Sequence, residues 1–135
     1  MTGSIRSNSF VTDTMALVLR MEKRKLSAKV KDIFDNVEEG KYTVYIPAIV
    51  ISEILYLSEK KRIRISVKDV ADYLLQYPNY KEQPLNFPII QAATGITDIR
   101  ELHDRLIAAT ALYLNLELIT NDPVIETSEF VNTLW

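Results

Sequence analysis

The feature that most restricts this chain is the alternation of short β-prone runs with amphipathic helical segments along its whole length. Phe10-Val11-Thr12 is β-prone and ends at Asp13, after which Met15, Ala16, Leu17, Val18 and Leu19 continue as a helix. Over residues 27–39 the apolar positions Val30, Ile33, Phe34 and Val37 recur at helical spacing, and Gly40 is the expected stop. Thr43-Val44-Tyr45-Ile46 is β-branched and aromatic, and Pro47 stands where the first turn of a helix running to Lys60 tolerates it. Ser66 and Asp69 form a capping box, Ile65 and Val70 its hydrophobic staple, and Val67, Val70, Ala71, Leu74 and Leu75 the expected buried stripe.

Tyr77-Pro78-Asn79 should end that helix. A strand is expected over residues 84–87, then a helix over 88–94 closed by Gly95. A further helix should start between Asp98 and His103 and reach Asn115, and strands are expected over 117–120 and 130–135.

Strands that alternate with helices pair in parallel through right-handed crossovers, which places helices on both faces of the sheet. The expected fold class is therefore α/β, a three-layer α/β/α arrangement with a central, mainly parallel sheet. At 135 residues the chain fits one domain, expected over residues 10–135, with the polar residues 1–9 as a flexible tail. No run of residues has the length and apolarity of a membrane span or a secretory signal, which points to a cytoplasmic protein.

Composition then narrows the chemistry. A net charge of −2 disfavours bulk electrostatic attachment to nucleic acid, so any such contact must be local or metal-assisted. With no cysteine and only His103, a thiolate or multi-histidine zinc site is excluded, and a metal would be held by oxygen.

Ligands of open parallel sheets bind outside the carboxyl ends of the strands, and Asp13 and Asp122 both follow strand runs. Glu53 is flanked on its helix face by Ile49, Val50, Tyr56 and Leu57, and Asp104 heads a stripe with Ile107, Ala108 and Ala111, so both should face inward. Carboxylates gathered in a partly buried place cost folding energy unless a cation or hydrogen bonds compensate. Mg²⁺ or Mn²⁺ suits such ligands, keeps several waters, and completes its shell with phosphate oxygens. Each acid also has a plain structural reading. Asp13 and Asp122 read equally well as helix caps, Glu53 as a core carboxylate paired with Arg, and Asp104 as part of a local surface pair. It is the set of four that points to phosphodiester hydrolysis.

Four stretches carry a resemblance that runs over nearly the whole chain: Phe10 to Thr14, Ile46 to Ile54, His103 to Ala111, and Leu118 to Asp122. The apolar-Asp-Thr start, the Ser-Glu within an apolar helix, the Asp-Arg-Leu-Ile-Ala-Ala helix and the strand ending in Thr-Asn-Asp resemble the PIN-domain family, which includes the VapC-type toxin ribonucleases. The resemblance implies that Asp13, Glu53, Asp104 and Asp122 bind one or two Mg²⁺ or Mn²⁺ ions, with Thr14 and Asn121 as supporting or substrate-phosphate contacts. It implies endonucleolytic cleavage of single-stranded or loop RNA by a metal-activated water, with Glu53 binding metal or acting as base. An antitoxin protein and a second copy of the chain are the implied partners. Met15 departs from the Asn or Ser usual in the family, and the first strand begins later than is usual. Neither departure removes an acid.

Rival readings differ in the residues they need. A non-catalytic module binding RNA or protein would be expected to have lost some of the acids, and a stand-alone RNA-processing nuclease would look the same as a toxin. An aspartyl-phosphate phosphatase needs a second Asp where Met15 stands, and a receiver domain needs an acid cluster that Asp13 alone does not supply.

Several secondary features remain. The basic clusters Lys23-Arg24-Lys25 and Lys60-Lys61-Arg62-Ile63-Arg64 are either guides for an RNA backbone or solvated surface. His103 reads as a local hydrogen-bonding residue. Tyr45, Tyr56, Tyr73 and Tyr113 read as core or interface, with Tyr77 and Tyr80 left in a loop as possible base-stacking platforms. The helices over 27–39 and 47–60 resemble those that bind an antitoxin segment, or else simply pack on the core.

Overall fold

The computed structural model describes residues 8–135; the rest of the expected tail lies outside the described residues. A five-stranded sheet, parallel throughout, forms the centre in the order β3-β2-β1-β4-β5. Its strands are β1 (Ser9–Thr12), β2 (Thr43–Pro47), β3 (Tyr80–Gln83), β4 (Glu117–Ile119) and β5 (Thr133–Leu134). Among the described residues seven helices connect and flank them: α1 (Thr14–Met21), α2 (Ala28–Glu38), α3 (Ala48–Glu59), α4 (Val67–Gln76), α5 (Phe87–Thr94), α6 (Leu102–Leu114) and α7 (Pro123–Glu126). This is the three-layer α/β/α fold expected from the alternation.

The order has a functional consequence. From β1 the chain steps outward through β2 to β3, then crosses back to place β4 and β5 on the other side of β1. The direction of winding reverses between β1 and β4, and adjacent crossovers leave a crevice at the carboxyl ends of those two strands. Asp13 follows β1 and Asp122 follows β4 after Thr120 and Asn121.

Local rules account for most element ends. Ser27 caps α2, Asn86 caps α5, and Ser66 with Asp69 forms the reciprocal box at α4. Gly40, at φ +83°, reverses the chain after α2 in the left-handed conformation that glycine adopts without strain.

Some boundaries differ from expectation. Ser9 belongs to β1, not to a tail, because the parallel ladder with β2 begins at the Ser9–Thr43 pair. The third strand lies at Tyr80–Gln83 and ends before Pro84, which has no N–H to continue a ladder; residues 84–87 are not a strand. The expected stripe of α4 is only half buried: Val70 and Leu74 pack on the core, whereas Val67, Ala71 and Leu75, the last 82% exposed, face solvent. Tyr56 and Tyr113 are likewise exposed, and Tyr80 is a buried residue of β3 instead of a loop platform.

The core is a continuous set of aliphatic side chains around Val11, Leu17, Phe34, Ile46, Ile54, Ile107 and Leu118, all at most 1% exposed. Beside it lies a polar knot. The Arg20 guanidinium donates to Glu38 (2.8 and 2.9 Å) and to Asp35 (2.7 Å). The hydroxyls of Tyr73 and Tyr80 also donate to Glu38, and so α1, α2, α4 and β3 are joined through one carboxylate.

Candidate active site

Local structure places each of the four acids, two as helix caps and two on helices. Asp13 is the N-cap of α1: its Oδ1 accepts the Ala16 N–H at 2.9 Å. Asp122 caps α7, its Oδ1 accepting from Val124 (2.9 Å) and Ile125 (3.3 Å). Glu53 stands on α3, where its carboxylate accepts the Thr14 hydroxyl. Asp104 is in the first turn of α6, where its backbone N–H is capped by Glu101 at 2.7 Å, and its carboxylate has no hydrogen bond or ion pair among the described residues.

The structural and the functional readings of Asp13 and Asp122 are therefore compatible. Capping engages one oxygen of each carboxylate and leaves capacity at the other.

All four acids line one cavity of about 490 Å³, together with Thr14, Met15, Ser52, Tyr56, Leu57, His103, Ile107 and Ile125. The walls between the acids are largely apolar, which strengthens the repulsion of like charges within. Burial pushes the Asp13 carboxyl up to about 6, against the Thr120 hydroxyl and the Ala16 amide, which favour its charge; Asp122 and Glu53 push the same way as burial. Asp104 is also pushed up to about 6, by burial first and then by the charges of Asp122, Glu101, Glu53 and Asp13. His103 hydrogen-bonds Glu101 at 2.9 Å, which raises its pKa and makes it a local partner at the rim.

One contributor was not foreseen. Thr120, fully buried just after β4, accepts the Asp122 N–H on its hydroxyl at 3.1 Å and favours the charged form of the Asp13 carboxyl. Asn121, expected as a supporting or substrate-phosphate contact, is exposed and does not line the cavity. The signal available in the sequence was the Thr-x-Asp spacing of a hydroxyl-capped turn. Thr120→Val should cost about 1–2 kcal/mol, since it strands the Asp122 N–H. It should also move the Asp13 carboxyl further up. Denaturant unfolding at neutral pH, with a pH titration of Asp13 by NMR, checks both.

The donor set is all oxygen, which fits a hard divalent cation. Among the described residues no three acidic or histidine side chains close into a ready-made ion cage. Like charges without a counter-ion stand apart, and a cation that retains its waters needs only one or two direct carboxylates.

The fold and site together define an α/β protein with an acid-lined cleft at the switch point of a parallel sheet. The family model of the PIN domain matches residues 10–129, and the chain belongs to that family. Among solved structures, VapBC2 from Rickettsia felis bound to a promoter DNA fragment matches with a TM-score of 0.70 at 15% identity, over 94% of this chain and 98% of that one. DNA-bound VapBC from Salmonella typhimurium matches with a TM-score of 0.68 at 16% identity, over 93% and 96%. FitAcB from Neisseria gonorrhoeae matches with a TM-score of 0.64 at 21% identity, again over 93% and 96%. At these identities the likeness is one of fold. A comparison with curated proteins gives no match.

Proposed function

We propose that this chain is a divalent-metal-dependent endoribonuclease, acting in the cytoplasm as the toxin of a toxin–antitoxin pair. The observation that supports the reading most is the convergence of Asp13, Glu53, Asp104 and Asp122, drawn from four separate elements, on one cavity. Burial and neighbouring acids push two of them up to about 6, so folding alone disfavours their charge and a bound cation would offset that cost. The structural neighbours named as VapBC and toxin–antitoxin complexes support the biological role.

In this reading Asp13, Asp104 and Asp122 would hold Mg²⁺ or Mn²⁺, which would offset the charge of the scissile phosphate and make water a better nucleophile. The capping bonds hold one carboxylate oxygen of Asp13 and of Asp122 in place. The Thr14 hydroxyl orients Glu53, which either joins the ligands or accepts the proton of the attacking water. The apolar walls formed by Met15, Leu57, Ile107 and Ile125 limit water around the reacting phosphate. An antitoxin segment or a second copy of the chain would cover exposed apolar side chains such as Leu75 and Phe87. Among the described residues no helix is long and apolar enough to cross a membrane.

The test is calorimetric titration of Mn²⁺ into the protein and into Asp104→Asn. Saturable binding by the wild type that is lost in the variant is expected; a wild type that binds no Mn²⁺ rejects the metal-nuclease reading. Protons compete with the ion for Asp13 and Asp104, so affinity should fall as pH drops through about 6. With two such groups the fall between about pH 7 and pH 5 is on the order of 100-fold. An affinity flat across that range would exclude these two carboxylates as ligands.

A further inference from the structure

The two basic clusters, separate in sequence, are brought together by one buried carboxylate. Glu22, the C-cap of α1, has a side chain only 4% exposed. It accepts the N–H groups of Arg64 at 2.6 Å and Ile65 at 3.1 Å, and its other oxygen reaches the Arg24 guanidinium at 3.3 Å. The turn after α3 is thereby fastened to the turn after α1. The two turns so joined carry seven cations, from residues 23–25 and 60–64, in a chain whose net charge is −2. Lys23, Lys25, Lys61 and Arg62 are exposed and have no ion pair among the described residues. Lys23 and Lys61 both adopt φ +58°, where glycine or asparagine would be less strained, and yet a cation stands in each place.

These turns connect with the acid cavity along α3. Glu53 and Tyr56 both line the cavity, and the Tyr56 ring is 52% exposed. Lys60, the C-cap of the same helix, places its Nζ 5.6 Å from the Tyr56 ring centroid. From Glu53 to Lys60 the helix rises about 10 Å, so the cleft and the cation at the end of α3 are within reach of one short stretch of a single strand.

We infer that the Tyr56 ring, Lys60 and the turns joined by Glu22 form a track for a single RNA strand leaving the acid cleft. The identity of the strand rests on the nuclease reading above. Tyr56 stacks the base next to the cleft, Lys60 meets the adjoining phosphate, and Lys25, Lys61 and Arg62 neutralise the phosphates beyond. The division of charge is consistent with this. Acids at the scissile phosphate require a cation there, and the backbone on either side needs cations supplied by the protein.

Binding of a labelled, unstructured RNA of about 12 nucleotides, a length within the range that single-strand grooves cover, is measured by anisotropy in EDTA, where no cleavage occurs. Replacing Lys25, Lys61 and Arg62 together by Ser is expected to weaken binding at least tenfold. The same variant should flatten the log–log salt slope by about 2, from about 0.7 per lost phosphate contact. Tyr56→Ala is expected to weaken binding about tenfold with the salt slope unchanged, and Tyr56→Phe to keep wild-type affinity. A triple variant that binds with wild-type affinity and slope overturns the track, as does a wild-type protein that does not bind the RNA. Mn²⁺ calorimetry separates this from the parent reading. Normal Mn²⁺ binding with an unaltered RNA slope rejects the track alone, and absent Mn²⁺ binding rejects the nuclease reading while the salt slopes still decide the track.

Discussion

Asp13→Asn should make the metal-free protein more stable at neutral pH and at the same time abolish RNA cleavage. Asparagine keeps the side-chain oxygen that accepts the Ala16 N–H, so the cap of α1 survives. What disappears is a charge that burial disfavours. The Asp13 carboxyl is pushed up to about 6 in the folded state, from an ordinary value of 3.8. A carboxyl raised on folding binds its proton more tightly in the native state, so it lowers stability as pH climbs from the unfolded value through the folded one. At pH 7 the full penalty applies, about 2–3 kcal/mol at 1.36 kcal/mol per pKa unit. Some of the gain is offset by the lost attraction between the carboxylate and the N-terminus of α1, about 0.5 kcal/mol.

The expected net is about 2 kcal/mol, or several degrees of melting temperature. Near pH 4 the gain should vanish, because wild-type Asp13 is then protonated as well. Added Mn²⁺ should raise the wild-type melting temperature and leave that of the variant unchanged, as linkage requires of an ion that binds only the native state. Thermal melts at the two pH values, with and without Mn²⁺, read all of this. A variant that melts lower than the wild type at neutral pH would show that Asp13 contributes structure beyond its cap.

The second large effect lies away from the cleft. Glu38→Ala should lower stability by about 3 kcal/mol, since it leaves Arg20 and two tyrosine hydroxyls short of a partner in a poorly solvated place. The Arg20 and Glu38 side chains are 16% and 15% exposed, and Asp35 alone would remain to hold the guanidinium. Burial opposes the Glu38 charge, but the bonds from Arg20, Tyr73 and Tyr80 outweigh it and hold the carboxyl below its usual range. Its contribution is therefore present at neutral pH and fades only as pH falls through that lowered value. Denaturant unfolding should show the loss with the slope unchanged, and cleavage per folded molecule should match the wild type. A loss below about 1 kcal/mol would mean that water replaces Glu38 adequately.

The contrast between these carboxylates shows what was legible in the sequence. Period and capping residues located nearly every element, because they are local properties: the Ser66–Asp69 box and the Val30, Ile33, Phe34, Val37 stripe translate directly into backbone and burial. The four acids were legible because each follows a strand or interrupts an apolar helix face. Thr120 was not, since its importance depends on β1 and β4 being neighbours, a long-range fact that no local pattern encodes. The same holds for Glu22 and Glu38, whose partners come from turns and helices distant in sequence. The α4 stripe failed for the converse reason: apolar spacing reports an amphipathic face and does not say how much of that face the domain itself covers.

The position of β1 in mid-sheet bears on the order in which the molecule can be assembled. Its partners come from opposite ends of the remaining chain, β2 at Thr43–Pro47 and β4 at Glu117–Ile119. A ribosome-bound chain can dock β1 against β2 early, but the cleft gains Asp104 and Asp122 only after α6 and β4 have emerged and closed on the other edge of β1. Parallel pairing across such a separation is slow, because loop closure precedes any contact that rewards it. Synthesis thus produces a half-sheet carrying Asp13 and Glu53 well before it produces a complete set of acids. Closure of the sheet on both sides of β1 is therefore the step that brings the four acids to one cavity.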